Sequence, residues 1–206
     1  AFFDIKVIGK GGHGAFPQFA IDPITIAAEI ISAIQTIISR ATSPNESAVL
    51  SITKMHAGDA YNVIPEKAVL SGTVRTFTIE KMQEIEQQMV SISEGISKAH
   101  GGTALVEFNT LFLPVLNEEK ATDLATEVCG DIVGQDNVIT TGSAGTGSED
   151  FSFMSNEVPG CYVIIGNGED SNALHNPNFD FNDKALVYGG SFFARVIEKE
   201  LALDQV

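Results

Sequence analysis

The sequence predicts an α+β unit with ferredoxin-like βαββαβ order, followed by part of a layered α/β domain. Three observations lead there. Over residues 1–113, stretches of period-two and period-3.6 hydrophobicity follow one another as strand, helix, strand, strand, helix, strand, the split βαβ arrangement. Pro114 then breaks the pattern. Beyond it, helical stretches flank a single continuous apolar run at 161–165, as expected of a strand buried on both faces of a parallel sheet. Domains are therefore expected at 1–113 and 114–206.

In order, Phe3, Ile5 and Val7 alternate with Asp4 and Lys6, predicting a strand over 2–8. The Gly-rich stretch Gly9-Lys10-Gly11-Gly12-His13-Gly14-Ala15-Phe16-Pro17 turns the chain. Asp22 and Pro23 supply an N-cap and a first-turn proline for a helix reaching Arg40. Its isoleucines form two stripes, Ile24/Ala27/Ile31/Ile34/Ile38 and Ile26/Ile30/Ala33/Ile37. One sheet cannot cover both, so the second is expected to meet another subunit or domain. Strands follow at 47–57, with Ala48, Leu50 and Ile52 inward, and at 67–76, with Ala68, Leu70 and Val74 inward and Arg75 on the opposite face. Thr78 caps a second helix, whose stripe Met82, Ile85, Met89, Ile92, Ile96 and Ala99 ends at Gly101-Gly102. A fourth strand is expected over 103–113. The later half predicts a helix through Ala121 to Val128, a Gly/Ser/Thr-rich loop at 140–147, a helix start at Ser148-Glu149-Asp150-Phe151, and a final helix from Asp183 to Leu201.

The composition narrows the function. The 206 residues are 44% hydrophobic, ample for a core, and carry a net charge of −15. That charge repels phosphate backbones and anionic lipid, so neither nucleic acid nor membrane is an expected partner. Cys129 and Cys161 are too few for a disulfide framework and suit a reducing, cytoplasmic setting. No run is expected to span a bilayer. A strand pattern that begins at once after Ala1 suggests a piece of something longer.

The candidate chemistry rests on few side chains. Of the four histidines, His100 suits a helix C-terminus, and His56 at a strand end has no nameable partner. His13 is the one group of the Gly-rich turn that titrates near neutral pH, and a solvated turn residue is its plain alternative. His175 lies in the polar loop Asn172-Ala173-Leu174-His175-Asn176-Pro177, where it is either solvated or a ligand; Glu149 and Asp150 have no ligand spacing to it. Ser148 lies in no nucleophile elbow, and the Gly-rich turn lacks the Lys-Ser/Thr pair of a phosphate loop.

The ordered motifs Gly11-Gly12-His13-Gly14-Ala15, Asp22-Pro23, Gly58, Asn62-Val63-Ile64-Pro65, Gly72-Thr73-Val74-Arg75, Gly147-Ser148-Glu149-Asp150-Phe151 and Leu174-His175-Asn176 resemble the metal-dependent amidohydrolase/metallopeptidase family of aminoacylase, hippurate hydrolase and auxin-conjugate hydrolase. The resemblance covers essentially the whole chain. It implies a lid and dimerisation domain followed by the C-terminal half of a metallohydrolase domain, acting on N-acyl amino acids or small peptides as a homodimer. His13 would polarise the scissile carbonyl and stabilise the oxyanion, often in a partner's site. Asn62, Arg75 and Glu149 would contact substrate, and His175 would be a ligand to a divalent metal: zinc, manganese, nickel or cobalt. In that family the other ligands and the general base precede the lid, so this chain alone is expected to be inactive and to bind metal weakly. The alternative is a non-enzymatic ferredoxin-like module for dimerisation or small-ligand binding, but that role has no need of His175 or the Ser148-Glu149-Asp150-Phe151 motif.

Overall fold

Alternation along the first strand settles which way the first unit faces. In β1 (Phe2–Ile8), Phe3, Ile5 and Val7 are buried while Asp4 and Lys6 lie on the other face. The computed structural model describes residues 1–142, 145 and 147–201; Ser143, Ala144 and Thr146 of the predicted 140–147 loop lie outside the described residues. The chain forms two compact units, the first comprising Ala1–Pro114 and Thr146–Ser148, the second Val115–Gly145 and Glu149–Val206.

In the first unit β1 is flanked by β5 (Lys67–Thr76) and β6 (Thr103–Asn109), and β3 (Ala48–Ala57) pairs with β5, giving the order β3-β5-β1-β6 with every neighbour antiparallel. This is the ferredoxin-like sheet expected from the element order. A short ribbon joins β2 (Gly12–His13) to β4 (Val63–Ile64). Two helices cover one sheet face: α1 (Pro23–Thr36), continued by a π turn over Ile37–Ala41, and α2 (Ile79–Ala99). The Asp22 carboxylate accepts from the Ile24 N–H at 2.9 Å and the Thr78 hydroxyl from the Lys81 N–H at 3.3 Å, so both helices start at the residues that can cap them. The Lys81 ammonium, almost fully buried, bridges Glu46 and Glu84 at 2.8 and 2.9 Å and ties the loop before β3 to α2. The fourth strand ends at Asn109, short of the expected 113.

Two expectations about α1 are corrected. Ile26, Ala27, Ile30, Ile34 and Ile37 are all at most 1% exposed and form one seam in the unit's own core. The stripe assigned to a partner is thus the core seam, because the sheet and α2 together embrace a wider arc than a sheet alone. Ile24, Ile31 and Ile38 form the outer edge instead. Pro23–Ala41 also proves long and apolar enough to cross a membrane, 19 residues of mean hydropathy 1.3, contrary to the expectation of no such run. Its place against the sheet is that of a core helix.

The second unit contains α3 (Glu119–Val133), α4 (Phe151–Glu157) and α5 (Ala185–Glu200). α3 packs on α5, where Lys199 joins Glu127 and Asp131 at 2.6 and 3.0 Å. Among the described residues this unit has no strand. The run 161–165, expected to be a strand buried on both faces, is instead extended chain with Ile164 83% exposed, because burial on two faces requires neighbouring strands and covering helices that these residues do not supply. Cys129 and Cys161 are free and half-buried.

Candidate functional site

The loop after β1 is shaped by a steric requirement. A Cβ at Gly9 would lie 2.1 Å from the Ile21 carbonyl oxygen, so a residue with a side chain cannot take its place without displacing the backbone. Lys10 and Ile21 then exchange backbone hydrogen bonds of 2.9 and 3.0 Å, and the chain returns as β2. His13 stands opposite Val63, and the Gly14 N–H donates to the Asn62 carbonyl at 2.8 Å. The ribbon thereby brings the loops carrying His13 and Asn62 together.

The His13 imidazole is exposed and held from within. The Ala15 N–H donates to its Nδ1 at 3.0 Å. A nitrogen that accepts a hydrogen bond carries no proton, so this contact assigns the neutral ring its proton on Nε2. The Phe16 ring lies 5.6 Å from the imidazole, tilted by 53°. The product is a single N–H donor fixed at one end of the sheet.

Arg75 is not part of that cluster. The register sets Lys67 opposite Ile8, next to the His13 loop, and Arg75 opposite Val49 at the other end of β5. Eight residues of strand separate Lys67 from Arg75, about 27 Å at about 3.4 Å per residue. There the half-buried guanidinium donates from Nη1 to the Ser148 hydroxyl at 3.4 Å.

In the second unit α4 begins at Phe151, the last residue of the expected helix start, so Glu149 precedes the helix. Its Oε2 accepts from the Tyr162 hydroxyl at 2.8 Å and its Oε1 from the Asp150 N–H at 3.0 Å. The Tyr162 bond, followed by that from the Asp150 side chain, holds the Glu149 carboxyl below its usual range. Asp150 is pushed up, first by the shared hydrogen bond and then by the Glu149 charge, and Tyr162 is raised chiefly by donating to Glu149. Tyr162 was not legible as Glu149's partner; its one signal was a hydroxyl in an otherwise apolar run. His175 is exposed at the third position of the turn closed by Asn176 N–H to Ala173 carbonyl at 3.1 Å, and is the one non-glycine with positive φ, 67°, among the described residues. His100 stands at the C-terminus of α2, as expected, and its Nε2 also meets Glu29 at 2.9 Å.

These residues do not by themselves fit a metal centre. Among the described residues no group of three or more His, Cys, Asp or Glu side chains could hold an ion, and His175 offers one nitrogen where zinc takes three or four ligands.

A two-layer α+β lid that carries an anchored imidazole on a side ribbon defines the class of the first unit. Residues 1–101, within the first unit, match the family described as the peptidase dimerisation domain. The hippurate hydrolase of Campylobacter jejuni is 35% identical over 199 residues, covering 97% of this chain and 52% of the relative. The IAA-amino acid hydrolase ILR1-like 4 of Arabidopsis thaliana is 31% identical, covering 97% and 47%. The solved structure of the Bacillus subtilis YXEP protein, a dinuclear metal binding peptidase from the M20 family, superposes with TM-score 0.73 at 28% identity, covering 95% of this chain and 49% of that one. The kinship with amidohydrolases and metallopeptidases expected from the motifs is thus borne out. The chain spans about half the length of the curated relatives it matches.

Proposed function

We propose that this chain is the lid and the C-terminal portion of a divalent-metal-dependent amidohydrolase that cleaves the amide bond of N-acyl amino acids or small peptides. The fixed Nε2–H of His13 carries the reading. The hippurate and IAA-amino acid hydrolases are named for such substrates, which supports it. As water adds to the scissile carbonyl its oxygen gains negative charge, and a donor already aimed there binds the transition state better than the substrate. Asn62, beside His13, offers an amide to the same region. Arg75 suits the free carboxylate, which a guanidinium grips through two parallel hydrogen bonds. Glu149, ionised and held by Tyr162, contacts a donor group of the substrate.

Arg75 and the His13 ribbon occupy opposite ends of one sheet, so we assign them to different active sites of a homodimer, with His13 and Asn62 acting in the partner's site. His175 is one metal ligand; the remaining ligands and the general base belong to a segment that the family places before the lid. The metal, zinc, manganese, nickel or cobalt, would supply Lewis acidity. The 206-residue chain alone therefore has no significant hydrolase activity and weak metal affinity. Its free cysteines accord with a cytoplasmic setting, and its charge with neither nucleic acid nor membrane as a partner.

Fusion of this chain behind the N-terminal half of the C. jejuni relative tests the reading. The chimera should hydrolyse hippurate, and His13→Ala should lower its kcat by about 10²–10³. Mixing His13→Ala protomers with His175→Ala protomers should restore part of the activity. Failure of that rescue would remove the assignment in trans, and hydrolysis by the unfused chain would remove the claim of incompleteness.

A further inference from the structure

We infer that Asn167 and Asn172 are positioning residues whose side-chain amides brace the 168–181 loop and hold His175 in its left-handed conformation. The inference rests on the reading that His175 serves the reaction, and adds what holds it in place.

Residues 172–178 are all exposed, so apolar packing does little to order this stretch. Hydrogen bonds from asparagine side chains do so instead. At the neck, the Asn182 N–H donates to Asn167 Oδ1 at 2.7 Å, and Asn182 Nδ2 donates to the Asn167 carbonyl at 3.2 Å. Asn167 Nδ2 donates in turn to the Asp180 carbonyl at 2.7 Å and to the Ser171 hydroxyl at 2.6 Å. Midway along, Asn172 Nδ2 crosses to the Asn178 carbonyl at 3.0 Å. Inside that second rung lies the turn that carries His175, with the Asn178 N–H folded back onto Asn176 Oδ1 at 2.9 Å.

A β-carbon at φ 67° is disfavoured, and such outliers persist only where the surroundings over-determine them. Here the two amide rungs are those surroundings. They fix both limbs of the loop at once, leaving the intervening residues a span that closes with His175 left-handed. A side chain that must meet other donors in a fixed geometry gains from such ordering before it binds.

The test is nuclear magnetic resonance on the 206-residue chain. In the parent chain His175 should show the strong intraresidue HN–Hα cross-peak of positive φ, and the Asn182 amide should exchange slowly. Asn167→Ala should abolish the cross-peak and accelerate Asn182 exchange about tenfold or more, the loss expected of one buried-strength hydrogen bond. Amides of α3 and α5 should keep their exchange rates. Asn167→Asp keeps the acceptor for Asn182 but loses both donors, and should fall between the two. His175→Gly should slow loop opening about tenfold in the parent by relieving the strain, and leave it unchanged in the Asn167→Ala background. A His175 cross-peak that survives in both Asn167→Ala and Asn172→Ala, or an equal glycine effect in both backgrounds, would overturn the brace. Loss of the chimera's activity on His175→Ala is a separate measurement; its absence would remove the catalytic reading of His175 while the exchange data still decided the brace.

Discussion

The Tyr162 hydroxyl donates to the Glu149 carboxylate, and the titrations of the two groups are therefore linked. Tyr162 loses its hydrogen bond to Glu149 when it ionises, which raises its pKa in the folded chain. Its contribution to stability is present below the ordinary tyrosine range and lost as pH rises through the raised folded value. Glu149 has the opposite sense: its pKa is depressed, so its contribution is present above the ordinary glutamate range and lost as pH falls through the folded value. Spectroscopic titration should show the Tyr162 phenol ionising above the ordinary tyrosine range. In Glu149→Gln that ionisation should move down, and an unchanged profile would mean that the contact is not formed in solution. The His13 ring is likewise held by a hydrogen bond close in sequence. Its backbone partner at Nδ1 is supplied by Ala15, two residues on, so the ring's orientation is a local property of the turn.

At the scale of elements, α1 shows how much of a sequence pattern is legible and where it stops. The order of strands and helices followed from hydrophobic period alone, because Phe3, Ile5 and Val7 or Met82, Ile85 and Met89 each mark a single face. In α1 isoleucine occurs on nearly every side, so periodicity identified the helix but not which arc faced inward. That was decided by α2, a long-range neighbour. The consequence separates two variants. Ile30→Asp places an unpaired charge at a site with 0% exposure and should cost about 3–5 kcal/mol in denaturant unfolding. Ile24→Asp, on the outer edge of the same helix, should stay within about 0.5 kcal/mol. Equal effects would contradict the observed orientation. The run 161–165 failed for a related reason: a continuous apolar stretch states what surroundings it requires, not whether they are present. The Asn167 and Asn172 rungs had no sequence signal beyond a polar loop, since an asparagine looks alike whether its amide meets backbone or water.

At the scale of the whole molecule, the two units differ in how far they bury their apolar residues. The first has a closed core of fifteen buried hydrophobic residues. The second leaves Tyr188, Phe193 and Ile197 of α5 exposed, together with Ile164 and Ile165. The homodimer proposed for the lid predicts a light-scattering mass of twice the 21.9 kDa of one chain at micromolar concentration; a mass of one chain throughout would count against it. The bare run at 161–165 has one more consequence. Two chains that meet along it can each offer backbone donors and acceptors to the other, beside side chains that gain by leaving water. Losses by that route scale with encounters between molecules, so the working life of a preparation of this chain should depend on how dilute it is kept more than on how cool.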